Sequence, residues 1–466
     1  MLFSSISFLY FFLPAVLLLY CIVPKALKNT VLLLSGLVFY AWGEPRYVVI
    51  MIISILVGYV FGLLIEKFRG KKLSKVFMIL SVCVDLGLLV YFKYVDFFID
   101  NFNMVTGMSV PLLRIALPIG ISFYTFQILS YTVDVYWGTV PAQKNPITLG
   151  AYISMFPQLI AGPIVRYSDV ERELRSRTHT LKKTYEGIIR FCIGFGKKIL
   201  IANALGELCE TFKAMDEKDV LFYWLYAVSF SLHIYFDFSG YSDMAIGLGK
   251  FFGFTFMENF NYPYISKSVT EFWRRWHMSL GQWFRDYLYI PLGGNRGSTL
   301  KHLRNIFIVW FATGFWHGAD WNFIVWGLMF AVLLTLEKMW LGKYLKNSRV
   351  LSRIYVLFMV VISFVIFNAA GMGEAMQYVG GMFGIGADGI YSPEWLYNLE
   401  SYALVLIIAM VGCTPIPKMA VERLRTTKAG NTAVSVLSPV FAVAIFVLCT
   451  AYLVDGSFNP FLYFRF

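Results

Sequence analysis

The sequence predicts an all-α polytopic membrane protein, and three observations predict it. Hydrophobic residues make up 58% of the 466 and charged residues only 15%, against roughly 25% charged in ordinary soluble domains. The mean hydropathy of +0.64 leaves too little polar surface to face water on all sides. Aromatic residues reach 18%, with 44 Phe, 29 Tyr and 12 Trp, which suits long interfaces with lipid headgroups. No polar stretch is long enough to bury a core of its own, so residues 1–466 read as one integral membrane domain.

The first apolar run, Met1 to Val23, meets its first charges at Lys25 and Lys28, after the run and not before it. That is the reverse of a secretory signal peptide, so a retained helix with an outer N-terminus is expected. Further runs follow at about 30–42, 46–65, 76–99, 113–136, 186–206, 220–238, 303–315, 321–337, 354–371, 399–413 and 433–454. Several fall short of the ~20 residues of a spanning helix, which predicts half-helices or re-entrant segments.

Following the runs across the membrane collects the basic residues on one side. Loops holding 29 of the 40 Lys and Arg residues fall there, Arg46, Lys213, Lys218 and Arg465 fall on the other, and the remaining seven are assigned to neither side. Basic loops mark the cytoplasmic face, so both termini are expected outside. The net charge of +12 is thereby explained by topology, and a nucleic-acid partner is not called for. Six scattered cysteines without CxxC spacing read as packing residues, with no metal site. No internal repeat is visible, against a secondary transporter.

Ionisable residues inside apolar segments are costly and mark candidate sites. His179 and His302 lie in basic stretches and read as solvated loop residues. His317 differs: it sits in Thr313-Gly-Phe-Trp-His-Gly-Ala-Asp-Trp-Asn322, between two apolar helices, with Gly314 and Gly318 on either side. The segment from Arg304 to Phe315 rises only about 18 Å, short of the ~30 Å hydrocarbon core, which puts His317 within the membrane profile. His233 and Asp237 are four apart on one helix face and read as a hydrogen-bonded pair joining helices. His277 lies in the stretch Ser268 to Tyr287, which begins with capping-box spacing at Ser268 and Glu271 and places Trp273, Trp276, Leu280 and Trp283 at helical spacing. With Arg274, Arg275 and Arg285 this predicts an amphipathic helix at the cytoplasmic interface, either an anchor or a basic rim for an anionic phosphorylated donor.

The chain has no GxSxG elbow, Walker A loop, HExxH or GxGxxG with a distant acid. The simplest chemistry for a lone intramembrane histidine is then general-base catalysis, since neutral imidazole accepts a hydroxyl proton near neutral pH. A hydroxyl so activated attacks a thioester without a protein nucleophile.

Four ordered segments carry a resemblance: Phe156-Pro-Gln-Leu-Ile-Ala-Gly-Pro-Ile-Val-Arg166, Phe236-Asp-Phe-Ser-Gly-Tyr-Ser-Asp-Met-Ala-Ile-Gly247, Phe272-Trp-Arg-Arg-Trp-His-Met-Ser-Leu280 and Phe315-Trp-His-Gly-Ala-Asp-Trp321. With Leu37-Val-Phe-Tyr-Ala-Trp-Gly-Glu-Pro-Arg46, they resemble the membrane-bound O-acyltransferase (MBOAT) family, nearest its AlgI-like polysaccharide O-acetyltransferases, with the DltB D-alanylation proteins close by. The resemblance runs to about residue 340, with a core at about 110–340. It implies about 11 or more transmembrane or re-entrant helices around a thin central layer with a funnel or tunnel. His317 falls at the family's catalytic histidine and His277 at its second characteristic histidine. It further implies that Arg274 and Arg275 shape the donor entrance, and that Trp276, Trp316, Asp237, Ser239, Tyr241, Asp243 and Asp320 contact substrate or brace the centre.

The same resemblance implies a bacterial cell (inner or plasma) membrane and no tightly bound cofactor. Acetyl-CoA or a carrier-protein thioester is the expected donor and an exported polysaccharide the acceptor. The expected partners are an extracytoplasmic SGNH-type, AlgJ- or AlgX-like acetyltransferase, a cytoplasmic acyl carrier and membrane lipids. The alternatives are D-alanyl transfer to teichoic acid and, from other classes, a polysaccharide or lipid exporter or a non-catalytic scaffold. Two positions depart from the family pattern: Gly58 before Tyr59, where Asn or Asp is expected, and Asp320, where a small or uncharged residue is usual.

Overall fold

The computed structural model describes residues 1–160, 162–456, 458–460 and 462. Every regular element among them is helical. Among the described residues seven helices are long and apolar enough to cross a membrane: Lys25–Gly43, Val48–Lys67, Lys72–Thr106, Trp321–Leu345, Arg349–Asn368, Pro393–Gly412 and Lys428–Val454. The remaining apolar runs form shorter, interrupted or more polar helices. The run at 220–238 extends into a 32-residue helix, Val220–Phe251, that carries His233, Asp237 and Asp243. The run at 113–136 is helical only from Ile121 to Trp137. Pro111 and Pro118 disfavour helix for the residues before them, and the Asp96 carboxylate instead accepts from the amides of Leu113 and Arg114 at 2.7 and 2.9 Å.

The chain divides into two compact units, one of residues 1–187 and 245–257, the other of 188–244 and 258–466. In the first unit Gly58 is explained by packing: a Cβ there would stand 2.9 Å from Ile128 Cγ2, and Tyr59 donates to the Lys144 carbonyl at 2.9 Å. His179, as expected, is exposed, with Nε2 3.2 Å from the Tyr20 hydroxyl. Partial burial and the nearby cations Lys28, Arg177 and Lys183 hold its pKa below the usual imidazole value.

The second unit holds every candidate site residue of the sequence reading. Its core is aromatic, with Phe212, Tyr226, Trp276, Trp326, Phe330 and Phe364 all buried. A tight hairpin of Thr299–His317 and Trp321–Leu336 organises it. The two helices touch backbone to backbone. A Cβ on Gly314 would stand 2.4 Å from the Phe323 carbonyl oxygen, and one on Gly327 2.4 Å from that of Trp310. The glycine before His317 therefore serves the approach of a helix.

The stretch Ser268 to Tyr287 is not one amphipathic surface helix. It forms Val269–Trp273, a turn through Arg274 to His277, Met278–Phe284 and a wide turn over Arg285–Tyr289. Ser268 caps the first piece by accepting from the Glu271 amide at 2.9 Å, as the spacing predicts. The break comes at His277, whose φ of +43° is left-handed, a region sparsely populated by residues with a Cβ. Its tryptophans face protein, with Trp276 against Phe272 and Phe364 at 5.6 and 5.0 Å and Trp273 against Trp310 at 4.7 Å. Aromatic pairs of this kind bury more apolar surface than a shallow lipid interface would.

Candidate active site

His317 ends the Thr299–His317 helix, and the chain turns at Gly318, where a Cβ would collide with the Phe323 ring at 2.2 Å. Its side chain is buried among aromatic rings: Trp316, Trp326 and Phe367 have centroids at 4.9, 5.1 and 5.2 Å. His277 is more deeply buried, with Phe238 edge-on at 4.6 Å. The two histidines line one small cavity of about 30 Å³, with Ile234, Phe238, Trp276, Trp326, Phe364, Phe367, Asp237 and Leu462 also in its lining. Its walls are almost entirely apolar.

A second cavity of about 1360 Å³ is a wide vestibule. Lys267, Arg274, Arg285, Lys338, Lys343, Lys346 and Arg349 line it, with Glu337 its only carboxylate. His277 is the one lining residue that the broad basic space and the small apolar one share among the described residues. Glu337 is committed elsewhere: it accepts from the amides of Val269 and Thr270 at 2.5 and 3.1 Å and from the Thr270 hydroxyl at 2.9 Å. That ties down the start of the piece leading to Arg274 and His277 and leaves the vestibule's cations in excess. Such a space attracts an anion carrying several charges.

The other expected site residues fall into place around these cavities. Arg274 lines the vestibule, but Arg275 pairs with Glu271 at 2.9 Å and donates to the Asn261 carbonyl at 3.1 Å, away from it. Trp276 walls the small chamber, and Trp316 packs against both histidines, 6.4 Å from His277 between centroids. Asp237 meets Lys198 at 2.6 Å. His233 Nδ1 lies 2.6 Å from the Ala202 carbonyl, so the expected His233–Asp237 hydrogen bond gives way to separate partners. Asp243 pairs with Arg190 and Lys197 at 2.6 and 2.7 Å and braces the unit, while Ser239 and Tyr241 are buried and line neither cavity. Asp320 caps Trp321–Leu336 through the Trp321 amide at 2.5 Å, so its charge is placed by the helix terminus.

Several residues here were not singled out from sequence. Lys198 is fully buried, and its signal was the pair Lys197-Lys198 inside the apolar run 186–206. His302, read as a loop residue, lines the vestibule and meets the Tyr289 hydroxyl at 2.9 Å. Asn259, whose Oδ1 lies 3.2 Å from His277 Nδ1, had no local signal at all. Among the described residues no three His, Cys, Asp or Glu side chains gather as a metal site.

Comparison with known proteins supports a family assignment. The model of the MBOAT, membrane-bound O-acyltransferase family matches residues 142–373, a span that contains both histidines and both cavities' walls except Leu462. A probable alginate O-acetylase AlgI of Azotobacter vinelandii is 39% identical over the whole of both chains. The chain belongs to the membrane-bound O-acyltransferase family. Its relatives also include a peptidoglycan O-acetyltransferase of Helicobacter pylori, 33% identical over 83% of this chain and 80% of that one. A teichoic acid D-alanyltransferase of Bacillus subtilis is 33% identical over 48% of this chain and 61% of its own. This MBOAT protein is a multi-pass membrane O-acyltransferase of the AlgI-like kind.

Proposed function

We propose that this enzyme transfers an acetyl group from a cytoplasmic thioester donor, acetyl-CoA, across the membrane for O-acetylation of an exported cell-surface polysaccharide. The observation that carries the reading is the placing of His277 on the wall of both the basic vestibule and the apolar chamber that holds His317. The vestibule's cations suit the donor's phosphates, and the chamber suits the small uncharged acyl end. His317 takes the proton from the acceptor hydroxyl as its oxygen attacks the thioester carbonyl. The carbon–sulfur bond breaks, and the thiolate leaves with the proton that His317 returns. The overall balance is thioester plus alcohol giving ester plus thiol.

D-alanyl transfer fits less well. A D-alanyl group carries an ammonium, and the chamber's one carboxylate, Asp237, is already neutralised by Lys198. Purified enzyme in liposomes is therefore expected to consume acetyl thioester and to leave a D-alanyl thioester on the same carrier untouched. Equal use of both donors would remove the preference for acetyl.

The vestibule makes a separate prediction. Arg274→Ala is expected to raise the donor KM by about tenfold, the loss of one charge-assisted hydrogen bond, and the effect shrinks at high salt. Arg275→Ala, outside the vestibule, is expected to leave that KM unchanged. Initial rates against donor concentration at two ionic strengths check both, and a larger effect at Arg275 would move the donor site elsewhere.

A further inference from the structure

The Asn259 side chain is buried, and each of its polar atoms has a defined partner. Its Nδ2 donates to the Ser242 hydroxyl at 3.1 Å. Its Oδ1 accepts from the Ser279 amide at 3.2 Å and from the Ser279 hydroxyl at 2.8 Å, and lies 3.2 Å from His277 Nδ1. Its backbone carbonyl accepts from the Met278 amide at 2.9 Å, next to the left-handed turn at His277. A carboxamide can be turned end for end, and which end is oxygen follows from its neighbours. Here the Ser279 amide decides it, because a backbone N–H only donates.

That fixes the histidine as well. Oxygen has no proton to give, so the ring nitrogen facing it must carry one: neutral His277 holds its proton on Nδ1 and is left with a bare Nε2. Nε2 has no hydrogen-bond partner among the described residues. We infer that Asn259 is a positioning residue that locks His277 in the Nδ1–H form, so that the buried Nε2 is a fixed hydrogen-bond acceptor on the residue that vestibule and chamber share. The group it receives is an amide N–H on the flexible arm of the thioester donor, which must pass His277 to bring its acyl end to His317. In this form Nε2 cannot donate a proton to the departing thiolate, which leaves that step to His317. The assignment of the donor arm rests on the acyl-transfer reading above, while the tautomer rests on geometry alone.

The test uses full-length protein in lipid nanodiscs with ¹⁵N-labelled histidine, the His277 signals being assigned by their loss in His277→Gln. Wild type is expected to show a protonated Nδ1 and an unprotonated Nε2, Asn259→Leu to lose that preference, and Asn259→Asp, which keeps the oxygen, to retain it. A protonated Nε2 in wild type, or an unchanged spectrum in Asn259→Leu, would overturn the lock. If Asn259→Leu does not fold, the wild-type spectrum alone still decides. In kinetics Asn259→Leu is expected to raise the donor KM about tenfold, one hydrogen bond's worth, with kcat changed less. A fall in kcat at constant KM would overturn the donor-arm assignment. A wild-type enzyme that uses no thioester yet shows the Nδ1–H form would overturn the donor arm and the acyl-transfer reading, and would support the lock.

Discussion

His317→Ala is expected to lower kcat/KM for acyl transfer by about 10²–10⁴, the usual contribution of a positioned general base, while the donor KM stays near its wild-type value. The split follows from where His317 stands. It shares the apolar chamber with His277 but is not among the residues lining the basic vestibule, so removing it takes away a proton acceptor and none of the charges proposed to hold the donor. Thioester consumption in liposomes, compared at equal folded amounts, measures the fall. Wild-type turnover in the variant would refute the role assigned to His317 and place the base elsewhere.

Lys198→Met is expected to destabilise the fold by about 3–5 kcal/mol, because it strands a buried carboxylate. Lys198 and Asp237 are both buried and meet at 2.6 Å. Around them Lys198 also donates to the Pro460 carbonyl, and Asp237 accepts from the Leu462 amide at 3.2 Å. Met keeps most of the lysine's length and apolar volume, so the loss reads the charge and not a cavity. Lys198→Met combined with Asp237→Leu removes both charges and is expected to recover most of the lost stability. Thermal unfolding of the single and double variants in the same detergent measures both. A single variant as stable as wild type would mean that Asp237 is held by other groups.

The helical membrane character was legible in the sequence because apolar runs are local: each helix needs only its own residues to be recognised. So was the neighbourhood of His317, because two glycines beside a histidine between apolar helices imply close approach, and Gly314 does touch a neighbouring helix. What was not legible depends on partners distant in the chain. Periodicity runs unbroken through Trp273, Trp276 and Leu280, and nothing local announces that His277 takes a left-handed conformation. That turn is secured by Asn259, eighteen positions earlier. The i,i+4 spacing of His233 and Asp237 was sound helix geometry, but the Ala202 carbonyl and Lys198 competed for them and won. The basic residues from Lys338 to Arg349 were read only for topology, although in the folded unit they also line the vestibule that Arg274 enters. Asp320 was read as contacting substrate or bracing the centre, whereas a carboxylate just before an apolar helix is first of all a cap.

The chamber's size has a consequence for fidelity. About 30 Å³ is room for one or two waters, and an activated thioester is as vulnerable to water as to an alcohol. In so small a space an acceptor hydroxyl and a hydrolytic water compete for a single seat, and an occupant that fills it excludes the other. Under the acyl transfer proposed above, the enzyme would guard its donor from futile hydrolysis by volume, without having to distinguish two nucleophiles of nearly equal reactivity.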